Sequence, residues 1–299
     1  MKIGIVTRVP GYTVRRLREE AIARGHTVET IRFPECYVEI QQDKPSVHYR
    51  GKDLNGFDAI IPRVLPGMTN YGAAIVRQFE MMGTYTPAKS IAITRSRDKL
   101  RSLQLLSKAK VGIPKTIFSR ETPDVDHLLD QVGTPVIIKL ASSTQGNGVV
   151  LAETKKAAKS VIQAFYVNDT SFLIQEFIEE SAGVDIRAFV VGNQVVASMQ
   201  RQSLDDDFRS NIHQGGTGTV IKLSEEERKV AIRAAKAMGL AICGVDLMRS
   251  SRGPLVLEVN SAPGLEGIES ATGRNVAGKI IEYIERNAKR NNKKDKVGA

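Results

Sequence analysis

A chain of 299 residues, 41% hydrophobic and 25% charged, has room for two or three domains around a sizeable core. It contains no apolar run near the roughly 20 residues that span a bilayer, which excludes a helical membrane protein. The net charge of +10 favours an anionic partner, but there is no Trp, no aromatic-rich RNA-reading motif and no Cys/His finger, which argues against sequence-specific nucleic-acid readout.

In chain order, residues 2–7 form a short apolar strand entered directly from Met1, with no signal peptide. Residues 14–24 carry Leu17, Ala21 and Ile22 at helical spacing, and Gly25 follows as a stop. Residues 26–33 and 57–64 read as strands, and 70–82 as a helix closing at Gly83. This β-α-β pattern predicts an open, mostly parallel sheet with crossover helices. No Gly-x-Gly-x-x-Gly follows the first strand, so any nucleotide site must lie elsewhere. A second unit begins near Ile91, with a helix over 98–110, strands over 135–140 and 149–152 around a glycine-bearing loop, a helix over 154–165 and a strand over 172–178. The third has strands over 185–191 and 194–199, a polar loop over 201–218, a helix over 225–238, a hairpin over 242–259 and a last helix over 276–287. The α/β division is thus 1–93, 94–173 and 174–288, with a basic tail at 289–299. The tail reads as a solvated terminus or a weak electrostatic tether. Cys36 and Cys243 lack metal-ligand spacing and look like reduced residues of a cytoplasmic protein.

The hairpin carries the strongest chemical signal. Two apolar strands flank Ser250-Ser251-Arg252-Gly253. Centred near Arg252, it sets Asp246 opposite Glu258, with Asn260 on the Glu258 face. Two carboxylates and an amide are oxygen ligands suited to Mg²⁺, which uses one or two carboxylates together with substrate phosphates. Charges also line ordinary edge hairpins; what favours a site is the glycine-ended loop Ser261-Ala262-Pro263-Gly264 that follows. Lys139 ends an apolar strand just before the loop containing Gly146, a moderate signal for a phosphate cradle. Lys99 opens a helix, where lysines are usually solvated. The loop around 205–218 ends in Gly215-Gly216-Thr217-Gly218 and reads either as a lid or as an ordinary surface loop. His213 in it has no visible acid partner.

Asp246, Glu258-Val259-Asn260 and the Ser-Ala-Pro-Gly that follows resemble the metal signature of ATP-grasp ligases. The chain resembles the RimK family end to end, through Arg97-Asp98-Lys99-Leu100-Arg101-Ser102, Thr144-Gln145-Gly146, Val149-Val150-Leu151-Ala152-Glu153-Thr154, Asp207-Phe208-Arg209-Ser210-Asn211 and Pro263-Gly264-Leu265-Glu266-Gly267-Ile268-Glu269. The resemblance implies an ATP-grasp fold with an N-terminal Rossmann-like pre-ATP-grasp domain, and ATP between the second and third units. It gives ATP contacts to Lys99, Lys139, Gly146, Glu176 and Phe177 at a hinge strand, Asp185 at the ribose, and Arg209, Ser210 and Asn211 in the lid. Asp246, Glu258 and Asn260 would hold two Mg²⁺, replaceable by Mn²⁺. D-alanine-ligase relatives place an arginine two residues before the first metal aspartate, where this chain has Gly244. The oxyanion donor is then expected from Arg209, with Arg187 on the nucleotide. Gln202 and Gln214 stand where the family pattern leads one to expect arginines, which weakens the carry-over of acidic-substrate contacts.

The implied reaction adds L-glutamate, through α-peptide bonds and an acyl phosphate, to the C-terminal tail of a small-subunit ribosomal protein. The rivals are a glutamate or amino-acid ligase acting on a small cofactor or carrier protein, and a non-catalytic ATP-binding regulatory module. The sequence leaves a homo-oligomer open and points to no membrane partner.

Overall fold

The computed structural model describes residues 1–121, 124–141, 148–167, 170–203 and 217–288. The N-terminal part runs β1 (Lys2–Thr7), α1 (Tyr12–Ala23), β2 (Thr27–Arg32), β3 (Cys36–Glu39), β4 (Ser46–Tyr49), β5 (Lys52–Asp53), β6 (Ala59–Arg63) and α2 (Thr69–Met81). The order β2-β1-β6 is wholly parallel, as the alternation predicts. Gly25 and Gly83 follow α1 and α2 at φ +80° and +81°, the left-handed conformation that glycine adopts without a Cβ penalty. The segment between β2 and β6 holds a small antiparallel sheet, β3-β4-β5, not anticipated from the sequence. Its strands are two to four residues long, too short to show periodicity.

Next come α3 (Ser90–Arg97), α4 (Lys99–Lys108), β7 (Thr116–Ser119), α5 (Val125–Val132), β8 (Val136–Leu140), β9 (Val149–Ala152), α6 (Lys155–Val167) and β10 (Phe172–Glu176). Asp98 separates α3 from α4 and caps the latter by accepting from the Arg101 N–H at 3.0 Å. The antiparallel sheet β7-β10-β8-β9 packs its own small core, with Leu129, Ile138, Ile162 and Phe172 fully buried.

The last part is β11 (Val184–Val191), β12 (Gln194–Gln202), β13 (Thr217–Val220), α7 (Glu225–Met238), β14 (Ile242–Ser250), β15 (Gly253–Asn260), α8 (Glu266–Thr272) and α9 (Val276–Ala288). It forms an antiparallel sheet ordered β13-β12-β11-β14-β15. A capping box between Ser224 and Glu227 starts α7, and Gly239 in the left-handed region ends it. One core joins β6, α2, α3 and α4 to α7 and this sheet, through Val64, Phe79, Ile93, Leu106, Met238 and Val259. Within this core α4 packs against α3, α7 and β15. A second core lies under α1, α8 and α9, where Arg24 and His26 both contact Glu285. The first and last thirds therefore form a continuous platform. No helix among the described residues is long and apolar enough to cross a membrane. Cys36 and Cys243 are both buried and unbridged.

Candidate active site

The carboxylate hairpin, expected from sequence to hold metal, is built by β14 and β15. The register pairs Asp246 with Glu258 and Gly244 with Asn260. The turn comes slightly earlier than the sequence suggests, with Ser250 opposite Gly253. A β-bulge beyond Asp246 restores the expected partnership, since Leu247 already faces Val256. Asn260 Nδ2 lies 3.4 Å from Asp246 Oδ2. The Glu258 side is exposed, and the intervening Val259 is fully buried, as strand alternation requires.

Asp246 is 6% exposed and is held by two arginines. Arg187, its register partner on β11, donates from Nε and Nη2, the latter at 2.8 Å. Arg201 Nη2 lies 3.0 Å from Asp246 Oδ2. Arg201 also donates from Nε to Asp185 Oδ1 at 2.6 Å and from Nη2 to Asp185 Oδ2, so it bridges two buried carboxylates. Burial opposes the charge on Asp246, but Arg187 and Arg201 outweigh it and hold the carboxyl below its ordinary range. Burial likewise opposes the charge on Arg201, and Asp246 and Asp185 overcome it to raise the guanidinium. From sequence Arg201 opens the polar loop over 201–218. It belongs to β12 instead, in phase with the buried Ala197 and Met199, and extending that alternation by one step would have placed it inward. The carboxylate of Asp185, assigned from sequence to the ribose, thus already accepts from Arg201 at both oxygens.

Facing the hairpin are cations from three elements. Lys139 on β8 donates to Gln175 Oε1 at 2.6 Å, and Lys99 at the start of α4 donates to the Leu140 carbonyl at 2.9 Å. Burial lowers both ammonium groups, Lys139 to about 8, while Glu258 acts in the opposite direction on each. Arg97 is lowered by burial and raised by the same carboxylate. The exposed Glu258 therefore looks across at Arg97, Lys99 and Lys139. At the hinge, the Glu176 N–H is spent on the Lys115 carbonyl at 3.0 Å, and its carboxylate accepts from the Lys115 N–H at 2.6 Å and from Arg252. Ser181 Oγ donates to the Arg249 carbonyl at 2.7 Å, and the Ser251 N–H donates to Glu180 at 2.9 Å. The hairpin tip is therefore tied to the hinge strand. Phe177 is half-buried just beyond it.

Gly146, Arg209, Ser210, Asn211, His213, Gln214 and the tail 289–299 lie outside the described residues. Gln202 is exposed at the end of β12. A Cβ on Gly244 would stand 3.0 Å from Arg187 Cδ and 3.1 Å from Pro263 Cβ. The stem of Arg187 therefore fills the space beside this position.

The donor set suits a hard divalent cation. No group of three or more His, Cys, Asp or Glu occurs at metal-binding spacing among the described residues. Two carboxylates and an amide are too few to complete a coordination shell, so Mg²⁺ would need substrate phosphate oxygens as well. The cations on the facing wall are placed to attract such phosphates.

Residues 1–93 match the RimK PreATP-grasp domain and residues 96–284 the RimK-like ATP-grasp domain. A probable alpha-L-glutamate ligase of Vibrio cholerae serotype O1 is 56% identical over 290 residues, 96% of each chain. One from Coxiella burnetii is 57% identical over 291 residues, 97% of each chain. Among solved structures, the ATP-grasp ligase PsnB complexed with minimal precursor, Mg and ADP superposes with a TM-score of 0.75 at 20% identity, covering 96% of this chain and 98% of that one. D-alanine–D-alanine ligase from Bacillus anthracis gives 0.67 at 19% identity, covering 97% and 98%. At these identities the structural likeness concerns the fold.

Proposed function

Since the chain belongs to the RimK family of ATP-grasp ligases, we propose that it joins L-glutamate by an α-peptide bond to the C-terminal carboxylate of a protein acceptor, the tail of a small-subunit ribosomal protein. The observation that carries this reading is the opposition of the Asp246–Glu258–Asn260 hairpin to Lys99 and Lys139 across one cleft. The alpha-L-glutamate ligase name of relatives above 50% identity supports glutamate as the amine.

In the proposed reaction the acceptor carboxylate attacks the γ-phosphate of ATP in line, giving an acyl phosphate and ADP. The amine of glutamate then attacks the acyl carbon and phosphate leaves. No protein nucleophile is required, so positioning and charge neutralisation are the protein's contribution. Lys139 and Lys99 would neutralise phosphate, and the backbone at Glu176 and Phe177 would meet the adenine edge. Asp185, braced by Arg201, would stand at the ribose end. Residues 146 and 209–211 complete the proposed nucleotide set. Asp246, Glu258 and Asn260 would hold two Mg²⁺, or Mn²⁺ in their place. Bound there, the metal supplies Lewis-acid neutralisation of phosphate charge. Arg187 keeps Asp246 ionised and oriented. Arg209 remains the proposed oxyanion donor, and Arg187, whose stem fills the space beside Gly244, is the second candidate.

Intact-mass analysis of isolated ribosomal proteins, after incubation with the enzyme, ATP and glutamate, tests the reading. Mass increments of whole glutamate residues on one small-subunit protein are expected. ADP release with no such increment, but with a small-molecule or carrier acceptor extended instead, would move the acceptor to the rival class.

A further inference from the structure

The parallel sheet β2-β1-β6 has its topological switch between β1 and β6, because the chain leaves β1 toward β2 on one side and reaches β6 on the other. In open α/β sheets the crevice at the carboxyl ends of such strands is where ligands bind. Here that crevice faces the loop following the metal hairpin. Arg63, the last residue of β6, donates from Nη1 to the Pro263 carbonyl at 2.8 Å. The Leu265 N–H of the same loop donates to Thr13 Oγ1 on α1 at 3.1 Å. Arg97, the last residue of α3, donates from Nη2 to the Val64 carbonyl at 2.9 Å, one residue beyond Arg63.

Three polar side chains lie at this junction, and two of them carry a buried atom with no hydrogen-bond partner among the described residues. Arg97 Nε is buried and has no hydrogen-bond partner among the described residues. The same holds for the hydroxyl of Ser261, a residue 6% exposed that directly follows Asn260. The guanidinium end of Arg63 is desolvated although the residue as a whole is half-buried, and burial together with the nearby charge of Arg97 pushes it down to about 10. Two desolvated guanidinium groups side by side are costly unless an anion joins them. Arg97 also faces Glu258, so the pair borders the carboxylate hairpin as well as the crevice.

We propose that Arg63, Arg97 and Ser261 form a subsite for a substrate carboxylate, at the junction of the β1–β6 crevice and the loop that follows the metal hairpin. Planar guanidinium forks match a planar carboxylate, and the hydroxyl adds a third donor. The proposal rests on the functional reading above and deepens it, because it assigns acidic-substrate contacts that Gln202 does not supply. The carboxylate belongs either to the incoming amino acid or to the acceptor terminus, and kinetics separates the two.

The test uses full-length Arg63→Gln, Arg97→Gln and Ser261→Ala, with Arg63→Lys as the charge-retaining control and thermal melting as the check on folding. Glutamate is titrated at saturating acceptor peptide, and acceptor at saturating glutamate. Each Gln variant should raise KM for one of these substrates about tenfold or more, as loss of a charge-assisted bond does, and leave the ATP dissociation constant unchanged. Arg63→Lys should recover part of the loss. A glutamate-dependent rise places the amino acid in the subsite; an acceptor-dependent rise places the terminal carboxylate there. Unchanged KM for both substrates in folded Arg97→Gln, or a parallel loss of ATP affinity, would overturn the subsite. Failure of wild-type protein to use glutamate would instead sink the functional reading, and KM for the amino acid it does use would be read in the same way.

Discussion

Arg187 stands directly across the sheet from Asp246 and donates to both oxygens of its carboxylate. The sequence assigns this arginine to the nucleotide; its geometry pairs it with Asp246, the proposed metal ligand. A lysine in its place would keep the charge and lose the fork. Arg187→Lys should therefore lower the single-turnover rate and raise the Mg²⁺ requirement about 10–100-fold, the range for residues that orient metal ligands. ATP binding measured without metal should be unchanged. Loss of that metal-free affinity with a normal Mg²⁺ requirement would return Arg187 to the nucleotide.

The two carboxylates of the hairpin should separate when stability is measured beside activity. Glu258 is exposed, so Glu258→Gln should abolish ADP release and leave the urea midpoint where it was. Asp246 is buried between Arg187 and Arg201, so Asp246→Asn should both weaken Mg²⁺ dependence and destabilise the fold. Arg201→Met strips a shared partner from Asp185 and Asp246 and should destabilise by about 3–5 kcal/mol, as broken buried pairs do. Wild-type stability in Arg201→Met would show that the bridge is energetically neutral.

Much of this site was legible because it lies on regular strands. Alternation put Glu258 and Asn260 on one face, and the pairing of Asp246 with Glu258 holds in the structure. That pairing came from a turn centre placed slightly too late, offset by a bulge that no local sequence signal marked. Arg201 was missed because glutamine and serine around it made the end of β12 look like loop. For a different reason, Arg63 carries no sequence signal and Ser261 reads only as part of the glycine-ended loop after the hairpin. Each is an ordinary residue in its own segment, and its environment exists only once α3, β6 and the 261–265 loop meet across about 200 residues of chain, a separation that local patterns do not encode. The parallel first sheet was readable from three apolar strands with helical crossovers, whereas the short β3-β4-β5 sheet was not.

A side chain at Gly244 should press on both Arg187 and the loop after the hairpin. A Cβ there meets Arg187 Cδ at 3.0 Å and Pro263 Cβ at 3.1 Å, so either the arginine or the loop carrying Ser261 must shift. The backbone itself imposes no strain on alanine, because Gly244 is not among the positive-φ glycines. Gly244→Ala should thus cost about 1–3 kcal/mol of stability through overpacking. It should also lower turnover, because the shift falls on Arg187 and so on the carboxylate of Asp246 that Arg187 orients. Normal kcat in a folded Gly244→Ala protein would mean that Arg187 need not occupy its observed position during the reaction.

Lys139 should make ATP binding sensitive to pH in the alkaline range. Burial lowers its ammonium group from the ordinary 10.5 to about 8 in the free protein, Glu258 opposes that fall and Lys99 adds to it. Phosphate placed beside it favours the charged form, so the bound state has the higher pKa. Below about 8 the lysine is charged with or without ATP, and affinity should be flat as far as this group is concerned. Above it, binding must take up a proton, and affinity should fall by up to about tenfold per pH unit until the bound-state value is reached. Lys139→Met should bind weakly and without that slope. Titration calorimetry at pH 9 in two buffers of different ionisation enthalpy should report proton uptake for the wild type and none for the variant. The stability linkage has the opposite sign. Because the folded pKa lies below the unfolded one, the unfolded chain binds more protons between about 8 and 10.5, so the cost of burying this charge is full below about 8 and disappears as pH rises through that interval. Lys139→Met should accordingly melt at a higher temperature than the wild type at pH 7 and lose that advantage near pH 10. A wild-type ATP affinity that does not change between pH 7 and 9.5 would show that Lys139 is not the phosphate contact.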